Sequence, residues 1–376
     1  MFLYDIFVLA FCPEPTQEFL PELFRMACFL ILQGKGRLWF LLPRFCHACQ
    51  AFVVGNKYCE NKHISDMEGP EKERWGEMMQ NKSAVLRAGC KVNLYLHITG
   101  VRQDGWHELD TVFWPLSEPH DLLQVTLRST EGGAVAVSCN VAGIDPERNT
   151  LTKACRQFAA ASGFSPSLAI ELEKGIPHGA GLGGGSSDAA VLLRWLNMQA
   201  PQPLEEEVLV SVAATVGADV PFFLFACPCR ARGIGEKLAP CNPLAYLQGT
   251  GAAIVLVCPA EQVSTPWAYR AWDLWQNRKP IFLTKGKMGG IGRTSLHVLE
   301  ENGQVLRFEN SFEPPVFEAF PRLRHLKEKL LQYGAAAAVM SGSGSSLFGL
   351  FRSIEVARSA AEVMQEKDVD VHVHAL

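Results

Sequence analysis

The densest run of chemistry-bearing residues is Ile176-Pro177-His178-Gly179-Ala180-Gly181-Leu182-Gly183-Gly184-Gly185-Ser186-Ser187-Asp188-Ala189-Ala190. Glycines at this density remove side chains where a backbone must pass close to a ligand, and they admit turns with φ > 0. Their amides, followed by a helix N-terminus, make a site suited to di- and triphosphates. Ser186 or Ser187 could cap that helix, touch a phosphate oxygen or ligate Mg²⁺, and capping is the ordinary role for at least one of them. The same run contains Gly179-x-Gly181-x-x-Gly184, which satisfies the dinucleotide fingerprint. That fingerprint wants a loop straight off a first strand and an acid about 20 residues on, closing the next strand. Here Pro177 intervenes and residues 201–203 read Pro-Gln-Pro. The Gly-Lys-Ser/Thr of a Walker loop is absent, so an ordinary P-loop is excluded.

Four other groups carry weaker signals. Gly217-Ala218-Asp219-Val220-Pro221-Phe222-Phe223 puts an acid after a helix-ending turn and before an apolar run that reads as a strand. Alone, such an aspartate is more often a cap or an ion-pair partner than a catalyst. Lys91 is similar, since a lone lysine on a strand is usually solvated, but Asn93 on the same face argues for a polar pocket wall. Gly100-x-x-x-Asp104-Gly105-Trp106-His107-Glu108-Leu109 contains a turn, and its Trp-His pair could grip a planar base. The bland alternative is a surface hairpin with Trp106 in the core. Ser341–Ser346, a second Gly/Ser loop between two apolar runs, is weak by itself.

The elements that must hold these groups are legible from periodicity. Lys91–Ile98 alternates strictly, with Val92, Leu94, Leu96 and Ile98 on one face and Lys91, Asn93, Tyr95 and His97 on the other, which predicts a half-buried strand. Further strands are expected at 122–127, 135–139 and 168–172. Asn149 reads as the N-cap of a helix stopped by Gly163. A second helix should start within Ser186–Asp188 and run to about Gln199, and a third spans roughly 204–216. After Pro240 the pattern is strand 254–258, a helix opened by Ser264-Thr265-Pro266, and a Gly/Lys-rich exposed loop over 284–294. It then continues as helix 323–333, strand 336–340, strand 347–351, helix 354–367 and strand 369–373. This alternation predicts an α+β sandwich, ferredoxin-like in its second half.

Composition sets the outer bounds. The 376 residues are 48% hydrophobic and 20% charged with a formal net charge of -4, which suits a two-domain globular enzyme. No basic patch stands out for nucleic acid or an anionic membrane surface. The 12 cysteines are scattered, fitting free thiols in a reducing, cytoplasmic compartment rather than a disulfide framework. Residues 1–82 differ in kind. Their apolar bursts (Phe7–Phe11, Phe29–Leu32, Leu38–Leu42) fall short of the ~18 uninterrupted residues of a spanning helix, and neither a signal nor a transit peptide pattern fits. Cys46-x-x-Cys49 with Cys59 and His63 could form a zinc ligand set. The alternative, which we favour on the lack of any framing turn chemistry, is a non-native extension upstream of Met67, Met78 or Met79.

The glycine run, Gly-Ala-Asp-Val-Pro-Phe-Phe, Asp-Gly-Trp-His-Glu-Leu and the Ser341–Ser346 loop, in this order, resemble the GHMP kinase superfamily. Within it they resemble the 4-diphosphocytidyl-2-C-methyl-D-erythritol kinases. Gly233-Ile234-Gly235-Glu236 and Asn310 with Glu313-Pro314 look like the same family, and the resemblance covers residues 87 to about 373. It implies a ribosomal-protein-S5-like N-terminal domain over 83–245 and a ferredoxin-like C-terminal domain over 246–376. It also implies transfer of the ATP γ-phosphoryl, with Mg²⁺, to the 2-hydroxyl of the methylerythritol unit. By the same resemblance Asp219 would accept or orient the hydroxyl proton and Lys91 would stabilise the transferring charge. Asn93 would hold the substrate, His107 would pair with the cytosine edge, and Trp106 and Tyr269 would stack on the ring. The loop from Pro177 and Gly179 through Ala180, Gly181, Leu182, Gly183, Gly184, Gly185, Ser186 and Ser187 would hold the nucleotide. A superfamily kinase for homoserine or mevalonate would lack the aromatic-His turn, and a non-catalytic sensor would be expected to have lost Lys91 or Asp219. Three departures stand out: Gly89-Cys90-Lys91 replaces Pro-Ala-Lys, Trp106 replaces the usual Tyr, and Ser311 follows Asn310 where an acid is usual.

Overall fold

The alternating run around Lys91 extends in both directions to give β1 (Ser83–Val101), which turns through Gly105 into the 26-residue β2 (His107–Gly132). The pair is antiparallel from Ser83↔Thr126 to Val101↔His107, with register shifts between Ala88/Cys90, Asn93/Tyr95 and Ile98/Gly100. Such bulges bend a strand and re-aim its side chains. The computed structural model describes residues 83–141, 145, 149–278, 297–301 and 304–376. The candidate zinc ligands Cys46, Cys49, Cys59 and His63, the alternative starts and the 284–294 loop lie outside the described residues.

Strand β3 (Val135–Cys139), helix α1 (Thr150–Ser162) and β4 (Pro166–Glu173) follow, with β3 and β4 parallel. Asn149 caps α1 by accepting from the Thr152 amide at 2.9 Å, and Gly163 ends it in the left-handed conformation, both as the sequence predicts. Helix α2 (Gly184–Gln199) starts earlier than expected. Gly183, at φ 75°, takes the cap position and its carbonyl accepts from the Ser186 and Ser187 amides, so neither serine side chain is the cap. Helix α3 (Glu206–Val216) stops at Gly217. The run after Asp219 is helix α4 (Val220–Phe225) and not the expected strand. Pro221 in its first turn pre-sets a helical φ, and a short run of uninterrupted apolar residues carries no period to separate helix from strand.

Strands β5 (Cys229–Gly233) and β6 (Lys237–Pro240) complete a sheet ordered β3-β4-β2-β5-β6, with β1 also on β2. Leu123 and Val125 of β2 and Ile170 of β4 pack with Phe158 of α1 and Trp195 of α2 in one apolar core.

The second half begins with β7 (Ala253–Pro259) and α5 (Thr265–Arg278). The hairpin β8 (His297–Glu301) and β9 (Gln304–Phe308) and helices α6 (Glu313–Ala319) and α7 (Pro321–Gln332) come next. The chain ends with β10 (Ala337–Met340), β11 (Leu347–Phe351), α8 (Ile354–Met364) and β12 (Val369–Ala375). The sheet β10-β11-β7-β12 is antiparallel, which is the ferredoxin-like order, with α7 and α8 packed on it and α5, the β8–β9 hairpin and α6 inserted between β7 and α7. Every residue of β7 is buried. Val255 and Val257 pack in the core with Leu323 and Leu330 of α7, whereas Ile254 and Leu256 pack with Val92, Leu94 and Trp114 of β1–β2. A strand covered on both faces reads as a continuous apolar run, and this one joins the two halves across the site. No helix among the described residues is long and apolar enough to cross a membrane.

Candidate active site

β1 carries the first charged group into the seam between the halves. Lys91 is 4% exposed and Asn93 2%, so the first two residues of the strand's polar face are buried where solvation was the default expectation. The Lys91 ammonium donates to Asn93 Oδ1 at 2.6 Å and to the Gly181 carbonyl at 2.9 Å, with the Phe113 ring 5.3 Å away. Burial pulls its pKa below the usual lysine range, and the charge of Asp219 pushes back upward. The two do not form a direct ion pair, so Asp219 acts on Lys91 across intervening space. Asn93 has both ends of its carboxamide engaged, since its Nδ2 donates to Thr111 Oγ1 at 2.8 Å. That bond fixes which end faces the lysine.

Asp219 sits at the start of α4, partly buried. A Cβ on Gly235, in the turn after β5, would stand 3.9 Å from its Oδ1, so the bare backbone there leaves the carboxylate open. The charge of Asp219 also reaches Tyr269 of α5, whose hydroxyl is pushed up to about 12 by burial first and by that charge second.

The glycine run is a loop from β4 into α2, held by its carbonyls. Gly179 O accepts from Val263 N at 3.2 Å, Ala180 O from Ser346 N at 3.1 Å, Gly181 O from Ser341 Oγ at 3.0 Å, and Leu182 O from Lys91 N at 3.0 Å. Among the described residues the amides of Gly179, Gly181 and Gly183 have no protein acceptor, which leaves a row of donors beside a helix N-terminus. Gly181 has φ 75°, and a Cβ on it would run into the Ser341 carbonyl oxygen. Ser187 is buried, whereas Ser186 is partly exposed and faces Gly217.

Two buried polar clusters support the two loops, and most of their members escape sequence reasoning. Asp121 accepts from the Gly175 and Ile176 amides at 2.8 Å each, and the Lys174 ammonium pairs with both Asp121 and Asp188. Burial pushes Asp188 up to about 7, opposed by Lys174, and its Oδ1 is buried with no hydrogen-bond partner. On the other side Asn310 donates to the Met340 and Gly342 carbonyls at 2.6 and 2.7 Å. Glu313 accepts from the Met340 amide at 3.0 Å and from Lys327 at 2.7 Å. These bonds fix the start of the Ser341–Ser346 loop, which also receives the Asn93 amide on Ser341 Oγ at 3.2 Å. Asn310 and Glu313 stand out in the sequence only through the family resemblance, while Asp121, Lys174, Lys327 and Thr111 give no local signal.

At the far end of the seam His107 packs against Tyr269 with ring centroids 4.6 Å apart and meets Trp272 edge-on at 5.5 Å. Trp106 is 60% exposed at the hairpin tip, with no ring partner among the described residues, so the alternative that placed it in the core does not hold. A cavity of about 270 Å³ flanks the entry to the glycine loop, lined by Val141, Lys174, Pro177, His178, Pro259 and Gln262. Another of about 520 Å³, lined by Tyr95, Arg230 and Arg307, includes none of the groups above.

Such an array can hold a polyphosphate on backbone amides while a buried cation and a carboxylate face the transferring group. The chain matches the family models described as GHMP kinases N terminal domain over residues 149–227 and GHMP kinases C terminal over residues 294–370. It is 49% identical over 296 residues to 4-diphosphocytidyl-2-C-methyl-D-erythritol kinase of Nitratidesulfovibrio vulgaris (strain DP4), covering 79% of this chain and 100% of that protein. To the same-named protein of Lawsonia intracellularis (strain PHE/MN1-00) it is 44% identical, covering 77% and 96%. A crystal structure of 4-(cytidine 5'-diphospho)-2C-methyl-D-erythritol kinase superposes with a TM-score of 0.60 at 33% identity, covering 78% and 99%.

Proposed function

The chain belongs to the 4-diphosphocytidyl-2-C-methyl-D-erythritol kinases of the GHMP kinase family, and from that premise we propose how its site works. It transfers the ATP γ-phosphoryl to the 2-hydroxyl of 4-diphosphocytidyl-2-C-methyl-D-erythritol, a step of the non-mevalonate route to isoprenoid precursors. The supporting observation is the buried Lys91 ammonium, bonded to the glycine loop at Gly181 and within the field of Asp219.

Phosphoryl transfer needs positioning and charge neutralisation more than covalent help. The free amides of Gly179, Gly181 and Gly183, with the N-terminus of α2, take the phosphates of ATP, and the cavity at Lys174 and Pro177 lies where the nucleoside end would leave the loop. Lys91 faces the transferring group, and Asn93 orients Lys91. Asp219 accepts or aligns the hydroxyl proton, a role that contributes roughly 10²–10⁴-fold where a true base operates. His107 and Tyr269 receive the cytosine end, and Trp106 stands at its rim. Among the described residues no cluster of three or more His, Cys, Asp or Glu side chains could cage a metal ion. Mg²⁺ would be carried mainly by phosphate oxygens, with the Ser186 hydroxyl and the Asp219 carboxylate as the protein oxygens that could complete its shell. When bound, the ion neutralises phosphate charge. The described cysteines are all free thiols, which supports a cytoplasmic setting.

The test is Asp219→Asn, assayed for ATP binding and for turnover of the cytidyl substrate, with homoserine and mevalonate as alternative acceptors. The variant keeps nucleotide binding and loses most turnover. Wild-type turnover in Asp219→Asn removes that residue from the mechanism, and preference for another acceptor overturns the substrate.

A further inference from the structure

His107 opens β2 with its side chain 10% exposed between Tyr269 and Trp272. Its Nε2 lies 2.8 Å from Oδ1 of Asp273, one helical turn beyond Tyr269 on α5. A carboxylate only accepts, so the neutral imidazole must carry its proton on Nε2, and Nδ1 keeps its lone pair. Among the described residues Nδ1 has no partner. The imidazole packs on the Tyr269 ring at 4.6 Å between centroids, and Tyr269 in turn lies within the field of Asp219, so His107 stands beside the same site.

We propose that Asp273 sets nucleobase specificity by holding His107 in the Nε2–H tautomer, so that Nδ1 accepts from an exocyclic amine and repels a carbonyl. Cytosine presents an amine at C4, and uracil presents a carbonyl oxygen there. The tautomer therefore selects a cytidine diphosphate substrate over its uridine counterpart, and Asp273 is a positioning residue that never touches the base. This rests on the reaction proposed above. An unpaired acceptor facing an acceptor in a partly desolvated site is a strong discriminator, because neither group recovers the water it lost.

The experiment compares kcat/KM for the cytidine and uridine diphosphate forms of the methylerythritol substrate in wild type, Asp273→Asn and Asp273→Glu. It also records the imidazole nitrogen shifts of ¹⁵N-histidine-labelled enzyme. The asparagine amide can donate to Nε2 and release the tautomer. We expect the cytidine preference to narrow at least tenfold in Asp273→Asn, through KM for the cytidyl substrate, with KM for ATP unchanged. The Nδ1–H form should become populated in the same variant. The glutamate variant restores both readouts. An unchanged base preference in a folded Asp273→Asn enzyme, or a wild-type His107 protonated on Nδ1, overturns the inference and leaves the kinase assignment standing. A wild-type enzyme that phosphorylates neither nucleotide form overturns the assignment itself.

Discussion

The Lys91 ammonium and the Gly181 carbonyl are 2.9 Å apart, so a buried cation on β1 is fastened to the middle of the phosphate-binding loop. Through this bond the strand, the loop and the charge that would meet the γ-phosphoryl move as one body. Ser341 Oγ donates to the same carbonyl, which brings the second half of the chain into the contact.

Burial depresses the Lys91 pKa below the ordinary lysine value, and Asp219 offsets only part of that. The charged form is the active one in the proposed chemistry. The pH profile of kcat/KM for ATP reports the free enzyme, and it should lose activity on its alkaline side below about pH 10.4, the value of an unperturbed lysine. Lys91→Met should reduce kcat about 100-fold or more while leaving the far-UV circular dichroism of the fold intact. A wild-type profile flat to that pH would mean that the protonation of Lys91 does not matter.

Gly181→Ala tests the loop itself. The new Cβ meets the Ser341 carbonyl at a left-handed φ of 75°, so either the loop or its partner must shift. Isothermal titration should show ATP affinity falling at least tenfold, about 1.4 kcal/mol. Unchanged affinity would show that the loop has slack the geometry does not reveal.

The pair Glu313–Lys327 should behave as a support and not as chemistry. Lys327→Met alone leaves a buried carboxylate uncompensated, which costs about 3–5 kcal/mol in urea unfolding. Burial already pushes the Glu313 pKa up, and Lys327 is what holds it down. Glu313→Gln with Lys327→Met removes both charges but keeps an acceptor for the Met340 amide, so most stability and turnover return. If the double variant stays as impaired as the single one, the ion pair itself holds the Ser341–Ser346 loop.

What the sequence made legible follows from which forces are local. The caps Asn149 and Gly163, the alternation of β1 and the apolar run of β7 are set by neighbours in the chain, and the structure keeps them. The burial of Lys91 is not local. It arises because Gly181 and Gly342, distant in sequence, close over a strand whose spacing reads as half solvated. Gly183 took the cap from the serines because a positive φ at that glycine brings its carbonyl to both amides. The helix at Val220–Phe225 stands where a strand was expected because a six-residue run of apolar side chains has no polar position to mark a period. Asp121, Asp273 and Lys327 carry no motif of their own, and only the fold brings them to their partners.

Asp188 gives a prediction in which pH reverses the usual sense for a carboxylate. In the unfolded chain an aspartate titrates near 3.9. In the fold, burial lifts Asp188 to about 7, with nearby Asp121 adding to the rise and Lys174 opposing it. Between those values the native state holds a proton that the unfolded state has released. Stability from this group is therefore full below about pH 4 and lost as pH rises to about 7. Asp188→Asn mimics the protonated form at every pH. In urea unfolding at pH 5, 6, 7 and 8 the wild type should lose stability relative to this variant as pH climbs, and the gap should level off above 7. Lys174 limits the size of the effect because it pairs with the ionised form. A gap that stays constant, or that moves in favour of the wild type with rising pH, would mean that Lys174 keeps Asp188 ionised throughout and that its unpartnered Oδ1 is hydrated in solution.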